Sequence, residues 1–264
     1  MSSVSTSNYT APAPSFPSSR VLVTGLLLLL CFPWGWLRLR AAGVGVFWLG
    51  ASALVGLPVF LVGAAFAGLM AFAACLPPLD LRVGDRADRT IRNNAGNYES
   101  TFLETARETG GAHELIRVQI QPGGGNFPHY HRTFEETFTT FTGALTVYTE
   151  AGSVVLHPGQ TVTVPRGTVH WFRNESNELT EMTVRVTPAA GLEKSLRVTY
   201  GLTNTGGWGH KGMTKNPWHM PLLLGYSGTY LTTMPAIIQE PLVWALARIA
   251  QWRGEDEALK IFFA

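Results

Sequence analysis

The chain is 264 residues long, and a formal net charge of +2 with no Lys/Arg cluster interleaved with aromatics excludes a nucleic-acid partner. Its two cysteines, Cys31 and Cys75, both lie in apolar runs. That excludes a disulfide framework and a zinc–thiolate site, and leaves the redox compartment open.

Residues 1–19 are dominated by Ser, Thr, Pro and Ala without a charge, a composition that cannot bury enough apolar surface to offset ordering, and they read as a disordered tail. From Val21 to Leu37 the chain is uncharged and largely apolar, and after Arg38 and Arg40 it is uncharged again from Ala41 to Leu79. Residues 20–79 therefore read as transmembrane segments and imply the lipid bilayer as a partner. The first run, of 17 residues, is at the short end for a hydrocarbon core of about 30 Å. The second, of 39, is nearly twice too long as one helix, so it tilts and protrudes or it breaks at Gly56-Leu57-Pro58. Two and three crossings are both compatible with these lengths. Ala64 and Gly68, four apart, would let helices approach closely. A secretory signal does not fit, because only Arg20 precedes the first run, and the run before Phe72-Ala73-Ala74-Cys75 is too long for a lipoprotein signal. With two crossings, Arg20, Arg82, Arg86, Arg89 and Arg92 outweigh the loop arginines and place tail and barrel in the cytoplasm; three crossings would put them on opposite sides.

Residues 80–97 read as a mixed-charge linker. Ile116, Val118 and Ile120 then alternate with Arg117, Gln119 and Gln121 as a half-buried strand does, and Gly110-Gly111 before them marks a hairpin. The alternation returns at Leu145 and Val147, at Val162 and Val164, and at Met182, Val184 and Val186. Residues 98–200 are thus expected to form an all-β sandwich or closed barrel. Residues 201–264 read as a loop followed by a C-terminal helical extension. In the loop, Trp208 and His210 either cover the barrel mouth or belong to a connector. The helix is marked by Pro241 at its first position, by Leu242, Leu246 and Ile249 on one face, and by Gly254 as its stop.

Within the β region, His129 and His131 are two apart, so on a strand their imidazoles share one face and can share one ion. Glu136 adds a carboxylate, and His170 on a neighbouring hairpin a third imidazole. Strict alternation from His131 would put Glu135, not Glu136, on the histidine face. Phe172 shares the face of His170 and would line the pocket, while Trp171 points outward. His157 precedes a Pro-Gly turn away from these residues.

Two stretches resemble the paired motifs of the cupins. Gly123, His129, His131, Glu136 and Gly143 fit the first, and Gly159, Pro165, Gly167, His170 and Asn174 fit the second without departure. The resemblance, over about residues 98 to 200, implies a jelly-roll barrel with one divalent metal held by His129, His131, Glu136 and His170. It selects Glu136 over Glu135, with a bend or bulge in 132–134 supplying the missing residue of register. It also allows a homodimer, with Trp171 against another subunit. The fold class expected is an all-β jelly-roll cupin barrel with N-terminal transmembrane helices and a C-terminal helical extension.

Three imidazoles and a carboxylate suit Fe, Mn, Ni, Cu, Co or Zn more than Ca or Mg, because nitrogen ligands disfavour hard alkaline-earth ions. Four protein ligands on a six-coordinate ion leave two positions for water, dioxygen or a chelating substrate. One expectation is a membrane-anchored oxygenase-type enzyme acting on a small organic substrate. The alternative is a tethered binding or sensing domain without catalysis, since no separate acid, base or nucleophile stands out. A pocket that binds its ligand without a metal is a third.

Overall fold

The structure is a computed structural model that describes residues 46–209 and 212–264. The tail expected over 1–19, the first apolar run with Cys31, the arginines Arg38 and Arg40, and His210 lie outside the described residues. The chain divides into two compact units at Leu76/Pro77.

In the unit that ends at Leu76, helix α1 (Val46–Ala74) runs for 29 residues without a break. The helix continues through Pro58, so the break expected at Gly56-Leu57-Pro58 does not occur. Its stretch Gly56–Ala74 is long and apolar enough to cross a membrane by length and composition, since 19 residues at about 1.5 Å each span roughly 28 Å.

From Pro77 onward the strands are β1 (Thr90–Asn93), β2 (Tyr98–Glu104), β3 (Glu114–Ile120), β4 (His129–His131), β5 (Glu135–Thr142) and β6 (Leu145–Thr149), then β7 (Gly152–Leu156), β8 (Thr161–Val164), β9 (His170–Arg173), β10 (Thr180–Thr187) and β11 (Thr229–Leu231). They form two antiparallel sheets, in the orders β1-β2-β3-β10-β5-β8 and β11-β4-β9-β6-β7. Alternation decides the inner faces. On β3 and β10 the pairs Ile116/Val184 and Val118/Met182 face each other across the ladder and are buried together with Phe102, Phe138, Leu145, Val162 and Phe172. Each such side chain contributes about 1.5–3 kcal/mol through burial. The motif glycines Gly123, Gly143, Gly159 and Gly167 all sit at left-handed φ, a conformation that Gly adopts without the Cβ penalty. That is the physical content of their fixed spacing.

Three helical elements follow: α2 (Leu192–Asn204), α3 (His219–Ser227) and α4 (Ala236–Trp252), with a closing 3-10 turn over Glu257–Phe262. They build a second core from Val198, Leu202, Leu222, Leu223, Tyr226, Ala250, Leu259 and Phe263. A Cβ on Gly225 would lie 2.7 Å from that of Ala247, so only glycine permits this approach of α3 to α4.

The structure differs from the sequence reading at three places. Residues 80–97 are not a free linker. Thr90–Asn93 pair with β2, and the chain before them is strapped to the C-terminal helices. The Asp80 N–H donates to Gln251 Oε1 at 2.8 Å, Lys194 Nζ donates to Asp80 O at 2.6 Å, the Gly84 N–H donates to Phe263 O at 2.8 Å and Arg197 donates to Asp88 O at 2.9 Å. Secondly, strand β10 ends at Thr187, residues 192–200 already belong to α2, and β11 joins the second sheet from beyond residue 200. Thirdly, Pro241 lies inside α4 rather than at its first position. The helix begins a turn and a half earlier because the extended Pro235 starts it and the Ile238 and Gln239 N–H groups both bond back to the Pro235 carbonyl. Gly254, at φ 77°, lies just beyond its end.

Candidate metal centre

Strand β4 carries His129 and His131 on one face, and β9 runs antiparallel beside it with His170 directly opposite His129. After His131 the chain bends over residues 132–134 and crosses to the other sheet as β5. There Glu136 lies opposite Val164 on β8 and Val186 on β10. The bend restores the register that strict alternation lacks: Glu136 is buried and Glu135 is half-exposed. Three imidazoles therefore come from one sheet and the carboxylate from the other. Their donor atoms all lie within 4.8 Å of one another, a grouping that could hold a metal ion.

Each imidazole is oriented through its other nitrogen. His129 Nδ1 lies 2.7 Å from Phe127 O, and His170 Nδ1 lies 2.9 Å from Thr168 O. A carbonyl only accepts, so in both rings Nδ1 carries the hydrogen and Nε2 keeps a lone pair. His131 Nδ1 lies 3.0 Å from the hydroxyl of Thr229. Its ring is also stacked on Phe134, centroids 4.2 Å apart. The three rings are mutually 4.5 to 5.4 Å apart.

Electrostatics favour the ligand protonation state. Burial, reinforced by the neighbouring rings, holds His129 well below the ordinary imidazole range. Burial likewise pulls His131 down, although Glu136 opposes it. Burial alone would push the Glu136 carboxyl up; the adjacent His131 and His170 outweigh it and keep it well below the usual carboxylate range. His129 and His131 held towards the neutral form, beside a carboxylate held ionised, match what a metal requires of such ligands.

Two observations test the fit to a metal. His131 Nε2 is buried without a hydrogen-bond partner, 3.5 Å from Glu136 Oε2; a buried donor or acceptor left alone costs about 1–3 kcal/mol. His170 Nε2 and Glu136 Oε2 lie 2.7 Å apart, close to the ~3 Å separation of two ligands each about 2.1 Å from one ion at a right angle. The residues fit.

Phe172 is buried on the His170 side of β9, edge-on to Tyr98 at 5.7 Å. Trp171 is half-buried and stacks on Tyr148, centroids 4.8 Å apart. Trp208 packs against the second core and donates to Thr203. His157 is exposed on its turn. Asn174, the last residue of the second motif, is fully buried; its amide donates to Ile120 O and Glu178 O and its carbonyl accepts from Ser176. It closes a loop and is not a ligand. Thr229 and Ser227 were not legible from the sequence, because Thr229 reaches His131 from 98 residues away and Ser227 reaches it only through Thr229.

Residues 116–186 match the cupin domain family. No curated protein sequence matches the chain. Similar solved structures include a sugar phosphate isomerase from a cupin superfamily, from Silicibacter pomeroyi, at 25% identity over 43% of this chain and 77% of that chain, with a TM-score of 0.33. The polyketide cyclase RemF from Streptomyces resistomycificus is similar at 18% identity over 34% and 65%, with a TM-score of 0.32. An oxalate oxidase in complex with the substrate analogue glycolate is similar at 22% over 48% and 79%, with a TM-score of 0.34. The match at residues 116–186 and the two complete motifs in the barrel identify a cupin domain within this chain.

Proposed function

We propose that the barrel is a metal-dependent, oxygenase-type enzyme acting on a small organic substrate, with one divalent transition metal held by His129, His131, Glu136 and His170. The observation that carries this reading is the convergence of four donors whose imidazoles are each tied back through Nδ1. When bound, such a metal supplies Lewis acidity or redox chemistry at the positions its protein ligands leave free. The chain's own residues do the rest. Glu136 brings the negative charge, the Nδ1 contacts fix the rings, and Phe172, Phe138 and Phe134 exclude water from the inner side. Of the four ligands only His129 is half-exposed, so substrate would approach from its side. The test is oxygen consumption by the metal-loaded, detergent-purified full chain against a panel of small chelating acids, ketones and phenols. Substrate-dependent uptake supports the enzyme; its absence with a loaded centre favours the second reading.

That second reading is a binding or sensing domain without turnover. It is favoured by the burial of His131, Glu136 and His170, each under 8% exposed, because catalytic centres keep an open position.

The domain scheme proposed is a membrane-anchoring segment up to residue 79, a barrel and a helical extension. For the anchor, the support is that only 11% of the stretch Gly56–Ala74 is buried, with Leu57, Leu61 and Val62 exposed, as suits a helix facing lipid. With one crossing from this helix and one from the run Val21–Leu37, the barrel would face the cytoplasm. Retention in the membrane pellet after carbonate extraction tests the anchor; release would refute it.

A further inference from the structure

Two of the three imidazoles are oriented by backbone carbonyls, which can only accept. His131 alone is oriented by a hydroxyl, which can donate or accept, so its own contact leaves its tautomer undetermined. Were Thr229 to donate to Nδ1, the hydrogen would sit on Nε2, the atom that faces Glu136 and the metal position. The structure supplies a second hydroxyl at the right place. Ser227 Oγ, fully buried, lies 2.6 Å from Thr229 Oγ1. It can take the Thr229 hydrogen and leave the Thr229 lone pair to accept from His131 Nδ1.

Both hydroxyls come from the chain beyond β10, and their placement is built rather than incidental. Ser227 is the last residue of α3, and Gly228 follows at φ 60°, a left-handed turn that ends the helix. Its carbonyl accepts from the Arg132 N–H at 3.3 Å, and Thr133 Oγ1 donates to Ser227 O at 3.3 Å. Strand β11 then pairs with β4, Thr229 opposite His131 and Leu231 opposite His129. From α4, Gln239 clamps both backbone groups of Leu231, at 2.7 and 2.8 Å. Glu240 accepts from Tyr130 at 3.0 Å and from Arg132 at 2.7 Å, which covers the outer side of β4.

We propose that Thr229, backed by Ser227, is the positioning residue that keeps His131 protonated on Nδ1, so that the chain beyond β10 completes the metal centre. The consequence for metal affinity rests on the functional reading above; the tautomer itself does not. The experiment uses the full chain in detergent, 15N-labelled at histidine and stripped by chelator. Long-range 1H–15N NMR reads the His131 tautomer, and a Co²⁺ titration then reads affinity. Wild type and Thr229→Ser should carry the hydrogen on Nδ1 and bind Co²⁺ alike. Thr229→Val, which keeps the β-branched shape, should lose that preference and bind about 10- to 100-fold more weakly, the range for outer-contact losses at metal ligands. Ser227→Ala should shift the tautomer the same way and carries the test if Thr229→Val does not fold. An Nδ1–H tautomer unchanged in Thr229→Val and Ser227→Ala overturns the proposal, even if affinity falls, since a merely structural role would weaken binding without moving the hydrogen. A wild type that takes up no Co²⁺ while Thr229→Val still changes the tautomer refutes the metal reading and leaves the positioning role standing.

Discussion

The barrel and the helical extension each have a core, but they treat charge differently. The barrel core is apolar, and at one point in it Glu136 meets three imidazoles. The extension buries charge along its seam. Lys194 is 1% exposed and lies 3.9 Å over the Phe263 ring and 4.5 Å over that of Tyr226, and burial pulls its amine below the ordinary range. Arg197 and Glu193 pair at 2.9 Å with both side chains buried. Next to them Glu114, at the start of β3, accepts the Glu193 N–H at 3.1 Å and is pushed up to about 7 by burial and by the Glu193 charge. A barrel is held by register, which neighbouring residues specify. The extension is held by single side chains that satisfy backbone groups far away in sequence, so its stability should depend on individual residues.

Breaking the barrel at its most connected polar residue should cost most. Asn174→Ala removes four hydrogen bonds at a fully buried position, and urea denaturation of the detergent-solubilised chain should show a loss of about 3–4 kcal/mol. At the seam the sign reverses. Folded Glu114 holds its proton up to about pH 7, whereas the unfolded chain releases it near 4.5. Its penalty is therefore absent below pH 4.5, grows as pH rises from 4.5 to 7, and stays constant above. Glu114→Gln should raise stability at pH 8 by about 3 kcal/mol, leave it unchanged at pH 4, and flatten the profile between. In the extension, Gln239→Ala loses both bonds to Leu231 and should cost about 1–2 kcal/mol in the same urea assay. The smallest effect is expected at His157, exposed on its turn: His157→Ala should move stability by less than about 0.5 kcal/mol and leave metal content unchanged.

The barrel was legible because period-two alternation is a local signal. Ile116 to Ile120 and Met182 to Val186 identify their own inner faces. The cluster of His129, His131, Glu136 and His170 was legible through motif spacing, and only that spacing separated Glu136 from Glu135, since the bend over 132–134 that decides between them leaves no mark in alternation. Of the extension only α4 was legible, from its apolar face and its stop at Gly254; α2 and α3 were not, for physical reasons. In α2 the charged residues Glu193, Lys194 and Arg197 are buried, the reverse of an ordinary amphipathic pattern. Helix α3, with Pro221 and Gly225 among apolar residues, has no polar face to display a period. The straps from Asp80 to Gln251 and from Arg197 to Asp88, and the contact of Thr229 with His131, join residues 98 to 171 apart, a distance at which no sequence pattern operates.

The central claim is that His129, His131, Glu136 and His170 hold one transition metal. Elemental analysis of the detergent-purified full chain, stripped with chelator and reloaded, tests it most directly. The account predicts about one metal per chain in wild type and His157→Ala, and affinity lower by on the order of a hundredfold or more in His131→Ala and Glu136→Ala, beyond the 10- to 100-fold typical of outer contacts. Equal metal content and affinity in wild type, His131→Ala and Glu136→Ala would contradict it.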